Sequence, residues 1–194
     1  MRIDELTADL YGKIFKRIFR VSSPMSAEGA RLLESTYQSV NCALAHELKQ
    51  VCISMNIDPW EIIAAANTRP DDFHDSLHGP GVGGRHIPFD CLSLSWKAKA
   101  FRVRAKLTEL AIEINEDMPK FILRSIGEEL NRIGQSIKGS NILVLGIRHQ
   151  KDSDDLYESP SLTIIELCWR RERTCTTTTP VCPILTLGNT GMSI

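Results

Sequence analysis

The chain has almost no excess charge. Twenty-three Lys and Arg against 24 Asp and Glu leave a formal net charge of −1, so no strong field draws it to nucleic acid or to an anionic bilayer. It has no apolar run long enough to span a membrane, and its start, Met-Arg-Ile-Asp-Glu-Leu, is too polar for a signal peptide, which makes the cytoplasm the expected compartment. Its six cysteines (Cys42, Cys52, Cys91, Cys168, Cys175 and Cys182) include no Cys-x-x-Cys pair, and free thiols are expected rather than a disulfide or zinc framework. No Gly-x-Gly-x-x-Gly follows a strand pattern; Leu145-Gly146-Ile147-Arg148-His149 lacks the remaining glycines, so no dinucleotide fingerprint is present. What remains is an ordinary globular composition, 42% hydrophobic and 24% charged over 194 residues, enough for one core or for one domain plus part of another.

Helical periodicity dominates. Leu6, Leu10, Ile14, Phe15, Ile18 and Phe19 recur at helical spacing within residues 1–20, and Val21-Ser22-Ser23-Pro24 breaks the pattern. Ser26 is the expected N-cap of the next helix, with Glu28 favourably placed in its first turn. Along that helix Leu33, Tyr37, Val40, Leu44, Leu48, Val51 and Met55 form one apolar stripe about eight turns long, suited to a long core helix or to a helix-to-helix dimer seam. Asp58, Pro59 and Glu61 read as the cap, first position and capping-box partner of a further helix ending near Asn67. Residues 68–92 read as a long loop. Helices are then expected from about Leu94 to Asp117 and from Pro119 to Ile137, with Pro119 in the first turn of the second.

The pattern changes at the Lys138-Gly139-Ser140 turn. Asn141 to Gly146 is a short apolar run of the kind that forms a buried parallel strand, and Ser159-Pro160 opens a helix from Leu162 to Leu167. After Leu167 neither period nor turn logic survives. Residues 168–194 are expected to be disordered, as a shifted reading frame would make them.

The stretch richest in information is Gly79-Pro80-Gly81-Val82-Gly83-Gly84-Arg85-His86-Ile87-Pro88, followed by Asp90. Its glycines bare the backbone, which can then approach a ligand and offer N–H groups to an anion. His74, His78 and His86, with Asp71, Asp72 and Asp75, invite a metal reading, but no metal site is expected from them.

The glycine-rich stretch resembles the signature of the UDP-glucose/GDP-mannose dehydrogenase family, in the branch that oxidises UDP-N-acetylhexosamines, which reads roughly Gly-Pro-Gly-Val-Gly-Gly-His-Cys-Ile-Pro-x-Asp. The run from Leu32 through Ala43-Leu-Ala-His-Glu-Leu, then Ile57-Asp-Pro-Trp-Glu-Ile-Ile, Ile142-Leu-Val-Leu-Gly, Lys151-Asp-Ser-Asp-Asp and Glu158-Ser-Pro, is similar to further family motifs in the right order. The resemblance implies a mainly α fold: residues 1–23 as the last helix and linker of an NAD-binding domain, 24–137 as a central helical dimerisation and substrate-loop domain, and 138–167 as the truncated start of a Rossmann-like α/β domain for the UDP moiety. It also implies a homodimer through Leu33, Tyr37, Val40, Leu44, Leu48 and Val51, with a UDP-sugar as ligand and NAD as cofactor.

The family oxidises a sugar alcohol to the acid with two hydride transfers to NAD and a cysteine thiolate that captures the aldehyde. Here His86 stands at the cysteine position. Cys91, five residues on, is a remote substitute. Arg31 replaces the catalytic lysine, and a guanidinium is a poor exchange for an ammonium; Ser35 replaces the asparagine that helps hold the oxyanion. Asp90 matches the aspartate that assists water. For substrate contacts the resemblance implies Phe73, Gly79, Gly81, Gly83 and Gly84, with Leu77 in place of a tyrosine, Gln150 in place of a lysine and Tyr157 in place of an arginine, so that two phosphate-binding charges are lost. The chain therefore reads as a nucleotide-sugar 6-dehydrogenase by resemblance that is expected to be inert alone. The alternative is a dimerising remnant that catalyses nothing.

Overall fold

The computed structural model describes residues 3–68, 79–148 and 156–170, together with the backbone of three short strands, 175–178, 185–188 and 191–193. Two compact units are distinguished, Met1–Glu34 and Ser35–Ile194.

In the first unit, α1 (Ile3–Gly12) is shorter than the periodicity of residues 1–20 promised. Lys13 and Ile14 close single turns onto Leu10 and Tyr11, and Tyr11 stacks on Phe15 with ring centroids 5.9 Å apart. The apolar residues after Gly12 therefore belong to non-helical chain. The second helix, α2, runs Pro24–Ser54, from the first unit into the second. Its cap is Ser23 and not Ser26: the Ser26 N–H donates to the Ser23 hydroxyl at 3.1 Å. Pro24, which has no N–H to leave unpaired, takes the first helical position.

In the second unit, α2 ends where Asn56 turns left-handed at φ 57°. Ile57 N–H then donates to the Cys52 carbonyl and Asn56 N–H to that of Ile53, the paired bonds of a Schellman stop, with asparagine where glycine is commoner. Asp58 caps α3 (Pro59–Ala66), accepting from the Trp60 N–H at 2.9 Å, and Asn67 closes it.

The largest correction concerns the loop. Helix α4 is His86–Ala100, so residues 86–92 are helical. Pro88 is tolerated because it falls in the first turn, where an N–H has no intrahelical partner to lose. The next break lies at Phe101–Ala105, where Arg102 adopts φ 58° and Val103 N–H reaches back to Ala98 O. Helix α5 then runs unbroken through Lys106–Arg132 with Pro119 in its interior. Pro119 thus begins no helix; it deprives the Asn115 carbonyl of its i+4 donor. Gly134, at φ 72°, ends α5 with a third stop of the Schellman type, Gln135 N–H on Leu130 O.

Strand β1 (Ile142–Leu145) is half-buried and not buried throughout: Ile142 and Val144 turn inward while Leu143 and Leu145 are exposed. With α6 (Pro160–Trp169) and α5 it encloses a core of Leu123, Ile147, Ile164, Ile165 and Cys168. Strands β2 (Cys175–Thr178), β3 (Leu185–Gly188) and β4 (Gly191–Ser193) occupy the segment in which the sequence shows no pattern. β2 pairs parallel to β1, and β3 and β4 follow antiparallel in the order β1-β2-β3-β4.

Candidate functional site

Three helices and one loop of the second unit converge on the residues that the sequence singled out. Helix α2 turns its small polar residues inward: Ser35, Ser39, Cys42, Ala43, His46 and Cys52 are buried. The apolar stripe is on the outside. Tyr37, Leu44, Val51 and Met55 are more than half exposed, as is Leu33 on the same helix, and Val40 and Leu48 are half-buried. A helix that buries serine and histidine and exposes leucine inverts the usual amphipathic rule.

The buried face holds two polar clusters. In the first, the Ser35 hydroxyl donates to Asp90 Oδ2 at 2.8 Å, joining α2 to α4. Both side chains are buried, Asp90 with 4% exposure. A carboxylate withdrawn from water to this degree needs donors, and Ser35 supplies one. Cys91 sits beside them, fully buried, with its thiol directed at the Ser35 carbonyl, Sγ to O 3.8 Å. Burial pushes the Cys91 thiol up, against the opposing hydrogen bonds of Ser39 and Thr36, and the Asp90 charge adds to the rise. A buried thiol held neutral beside a carboxylate is a poor nucleophile. His86 is the first residue of α4 and is exposed, one helical turn before Asp90.

The second cluster has no counterpart in the sequence reading. His46, 1% exposed, lies with Nδ1 3.0 Å from Asn115 Oδ1 and Nε2 3.2 Å from the Gly79 carbonyl. Asn115 Nδ2 donates in turn to the carbonyl and the hydroxyl of Ser39, at 3.0 and 3.1 Å. This network fastens the glycine loop to α2 and α5. The available signal was the helical placement of His46 on the Ser35/Ser39/Cys42 face, opposite the leucines.

The loop is close-fitted at Gly81. Gly81 has φ 142°, and a Cβ there would stand 3.0 Å from the Asn115 carbonyl and 3.4 Å from Pro160. The carbonyl that Pro119 deprives of its helical donor is therefore the one facing Gly81. Gly84 is buried at φ 89° and Gly83 is half-buried, whereas Gly79 is exposed, with nothing within 4 Å of a Cβ built there. The guanidinium of Arg85 lies over the Tyr157 ring, 4.5 Å from its centroid, so a cation from the loop is stacked on an aromatic ring of the segment before α6.

Of the remaining candidates, Arg31 is an exposed residue of α2 in the first unit. Phe73, Leu77, Gln150 and the Asp71–His78 cluster lie outside the described residues. Among the described residues no three His, Cys, Asp or Glu side chains gather as a metal would require, and no helix is long and apolar enough to cross a membrane. Among the described residues after β1, Gly146 adopts φ 87° and the Ser159 hydroxyl before α6 donates back to the Ile147 carbonyl.

Comparison with known proteins agrees with this geometry. Residues 25–117 match the family described as UDP-glucose/GDP-mannose dehydrogenase family, central domain. The chain is 30% identical over 176 residues to the UDP-N-acetyl-D-mannosamine dehydrogenase of Methanococcus maripaludis, a match that covers 91% of this chain and 40% of that protein. Among solved structures it is similar to the UDP-D-ManNAc dehydrogenase of Pyrococcus horikoshii, with TM-score 0.79 and 29% identity over 90% of this chain and 41% of that one. It is likewise similar to the UDP-N-acetyl-mannosamine dehydrogenase of Staphylococcus aureus, with TM-score 0.71 and 30% identity over 91% and 40%. The chain thus spans about two-fifths of the length of these relatives, and it belongs, through the helical domain it shares with them, to the UDP-glucose/GDP-mannose dehydrogenase family.

Proposed function

We propose that these 194 residues form a nucleotide-sugar-binding, dimerising part of a UDP-N-acetylhexosamine 6-dehydrogenase, and that they do not themselves oxidise the sugar. The observation that carries this reading is the contrast inside one site. The glycine loop is seated on α2 and α5 through His46, Asn115 and the close fit at Gly81, while the nucleophile position is an exposed histidine and the nearest thiol is buried.

The chemistry follows from the residues. Oxidation through a covalent thiohemiacetal needs a thiolate facing the sugar carbon. An imidazole does not form the corresponding thioester, and Cys91 is held neutral and covered. Asp90 is retained, hydrogen-bonded to the substituted Ser35, without an exposed thiol beside them. NAD supplies the hydride acceptor in the family, and these 194 residues carry no Gly-x-Gly-x-x-Gly fingerprint for it. The UDP group would rest on the Gly79–Gly84 backbone, with Arg85 on Tyr157 offering the positive charge that the segment's own residue no longer carries.

The exposed stripe of Tyr37, Leu44, Val51 and Met55 supports the second half of the proposal. Apolar residues repeated along one open helix face form a patch that a second copy can bury. The strand–helix–strand unit β1–α6–β2, with its parallel pair, is read as the start of the UDP-binding α/β domain.

Light scattering on the purified chain tests the dimer, for which twice the 21.7 kDa chain mass is expected. The Leu44→Glu variant is expected to give the single-chain mass with the helical spectrum unchanged. A wild-type chain that is folded and monomeric contradicts the dimer. A melting temperature raised by a UDP-N-acetylhexosamine and not by NAD supports the binding role. No shift with either, from a folded dimer, leaves the reading of a structural remnant.

A further inference from the structure

We infer that His46 is the residue that positions the glycine loop, and that it does so as an imidazolium, so that the seating of the loop depends on protonation. Which atoms can donate decides the protonation state. The Ser39 carbonyl can only accept, so the Asn115 amide must turn Nδ2 towards it, at 3.0 Å. That fixes Asn115 Oδ1 on the His46 side, 3.0 Å from Nδ1, and Oδ1 is an acceptor as well. The Gly79 carbonyl, 3.2 Å from Nε2, also only accepts. Both ring nitrogens therefore face acceptors. A neutral imidazole has one N–H and satisfies one of them; an imidazolium has two and satisfies both.

When the ring loses its second proton, the two contacts are not equally expendable. Asn115 is tied to Ser39 by two hydrogen bonds between packed helices, so Nδ1 keeps its hydrogen and its partner. Nε2 then turns a lone pair on the Gly79 carbonyl, and the loop is the side that yields. It has one remaining close fit there, Gly81 against the Asn115 backbone carbonyl and Pro160. A single residue of α5 thus grips the loop twice, through His46 and through its own carbonyl.

Among the described residues, the groups bonded to the ring nitrogens include Asn115 from α5 and the Gly79 carbonyl from the loop. On α2, Cys42 lies one turn before His46, and burial pushes its thiol up to about 11, so it stays neutral across the range in which histidine titrates. The sequence immediately before Gly79 carries Asp71, Asp72, His74, Asp75 and His78, and for that reason the test reads His46 itself. The inference concerns the empty chain and stands whether or not the loop takes a nucleotide sugar.

The test is made on the full chain without ligand. Nitrogen-resolved imidazole spectra near pH 6 are expected to show protons on both ring nitrogens of His46, assigned by their loss in His46→Gln. Hydrogen exchange of the amides at 81–85, corrected for intrinsic rates, is expected to quicken about tenfold from roughly pH 5.5 to 8.5, the scale of one buried hydrogen bond. In His46→Gln, whose amide does not titrate, that pH dependence is expected to disappear. A ring with one proton at pH 6 while the loop stays protected would overturn the inference. The same pH profile in wild type and variant would overturn it too. If the variant fails to fold, the wild-type spectra still decide.

Discussion

Ser35 on α2 donates its hydroxyl to Asp90 on α4 across 55 positions of sequence, 2.8 Å from oxygen to oxygen, with both groups buried. The bond joins two residues that the family resemblance names separately, one as an altered oxyanion contact and one as an intact acid. In this chain they are first of all partners of each other.

Removing the donor leaves a buried carboxylate one hydrogen bond short. Ser35→Ala is expected to cost about 1–3 kcal/mol in urea unfolding. A double-mutant cycle with Asp90→Asn is expected to show coupling above about 0.5 kcal/mol. Additive single effects would mean that the pair contributes nothing as a pair.

The glycine loop separates two substitutions that look alike in sequence. At Gly81 an alanine Cβ meets the Asn115 carbonyl at 3.0 Å in a backbone region that L residues rarely adopt, and Gly81→Ala is expected to destabilise by about 1–3 kcal/mol. At Gly79 a Cβ meets nothing within 4 Å, so Gly79→Ala is expected to stay within about 0.5 kcal/mol of wild type. Chemical denaturation of the two variants side by side checks the difference.

The sequence made the helical character and the Asp58–Pro59 start of α3 legible, because caps and turn residues act within a few positions. It failed where distant packing decides. Pro88 looked like loop and proves to be first-turn helix; Pro119 looked like a helix start and proves to be an interior residue whose cost is borne by the packing of α5. The leucine stripe of α2 was legible as a stripe, but periodicity alone does not say which face is buried. The serine and histidine face is the buried one, since Ser35, Ser39 and His46 find partners on α4, α5 and the loop. His46 went unseen for the same reason: its importance lies in Asn115 and Gly79, which are 69 and 33 residues away.

Thiol accessibility checks the conclusion about the nucleophile. Cys42, Cys52, Cys91 and Cys168 are buried thiols outside any disulfide, and burial raises the Cys42 and Cys91 thiols further from their reactive form. Native alkylation at about pH 8 is expected to leave all four unmodified by peptide mass analysis, with full labelling after unfolding. Rapid native labelling of Cys91 would return it to consideration as a nucleophile.

Acid stability has a specific contributor on the α4–α5 corner. Glu109 accepts from Arg104 at 2.9 Å and from Lys99 and Ser95 at 3.0 Å. The Arg104 hydrogen bond, followed by those of Lys99 and Ser95, holds its carboxyl down at about 2 against an ordinary 4.5. A carboxyl with a depressed folded value stabilises the fold above its unfolded value and loses that contribution as the pH falls through the folded one. The melting-temperature gap between wild type and Glu109→Gln is therefore expected to be full above about pH 5 and to close between about pH 4.5 and 2. A gap independent of pH would place the effect in packing instead.

The central claim is that the glycine loop retains a nucleotide-sugar site without the means to oxidise the sugar. Calorimetric titration of the wild-type chain with UDP-N-acetylmannosamine, repeated with NAD and repeated on Gly81→Val, tests it most directly. The account expects saturable heat with the sugar nucleotide, none with NAD, and loss of the sugar signal in Gly81→Val while the fold is retained. A folded wild-type chain that binds no sugar nucleotide, or a Gly81→Val chain that binds it unchanged, would contradict it.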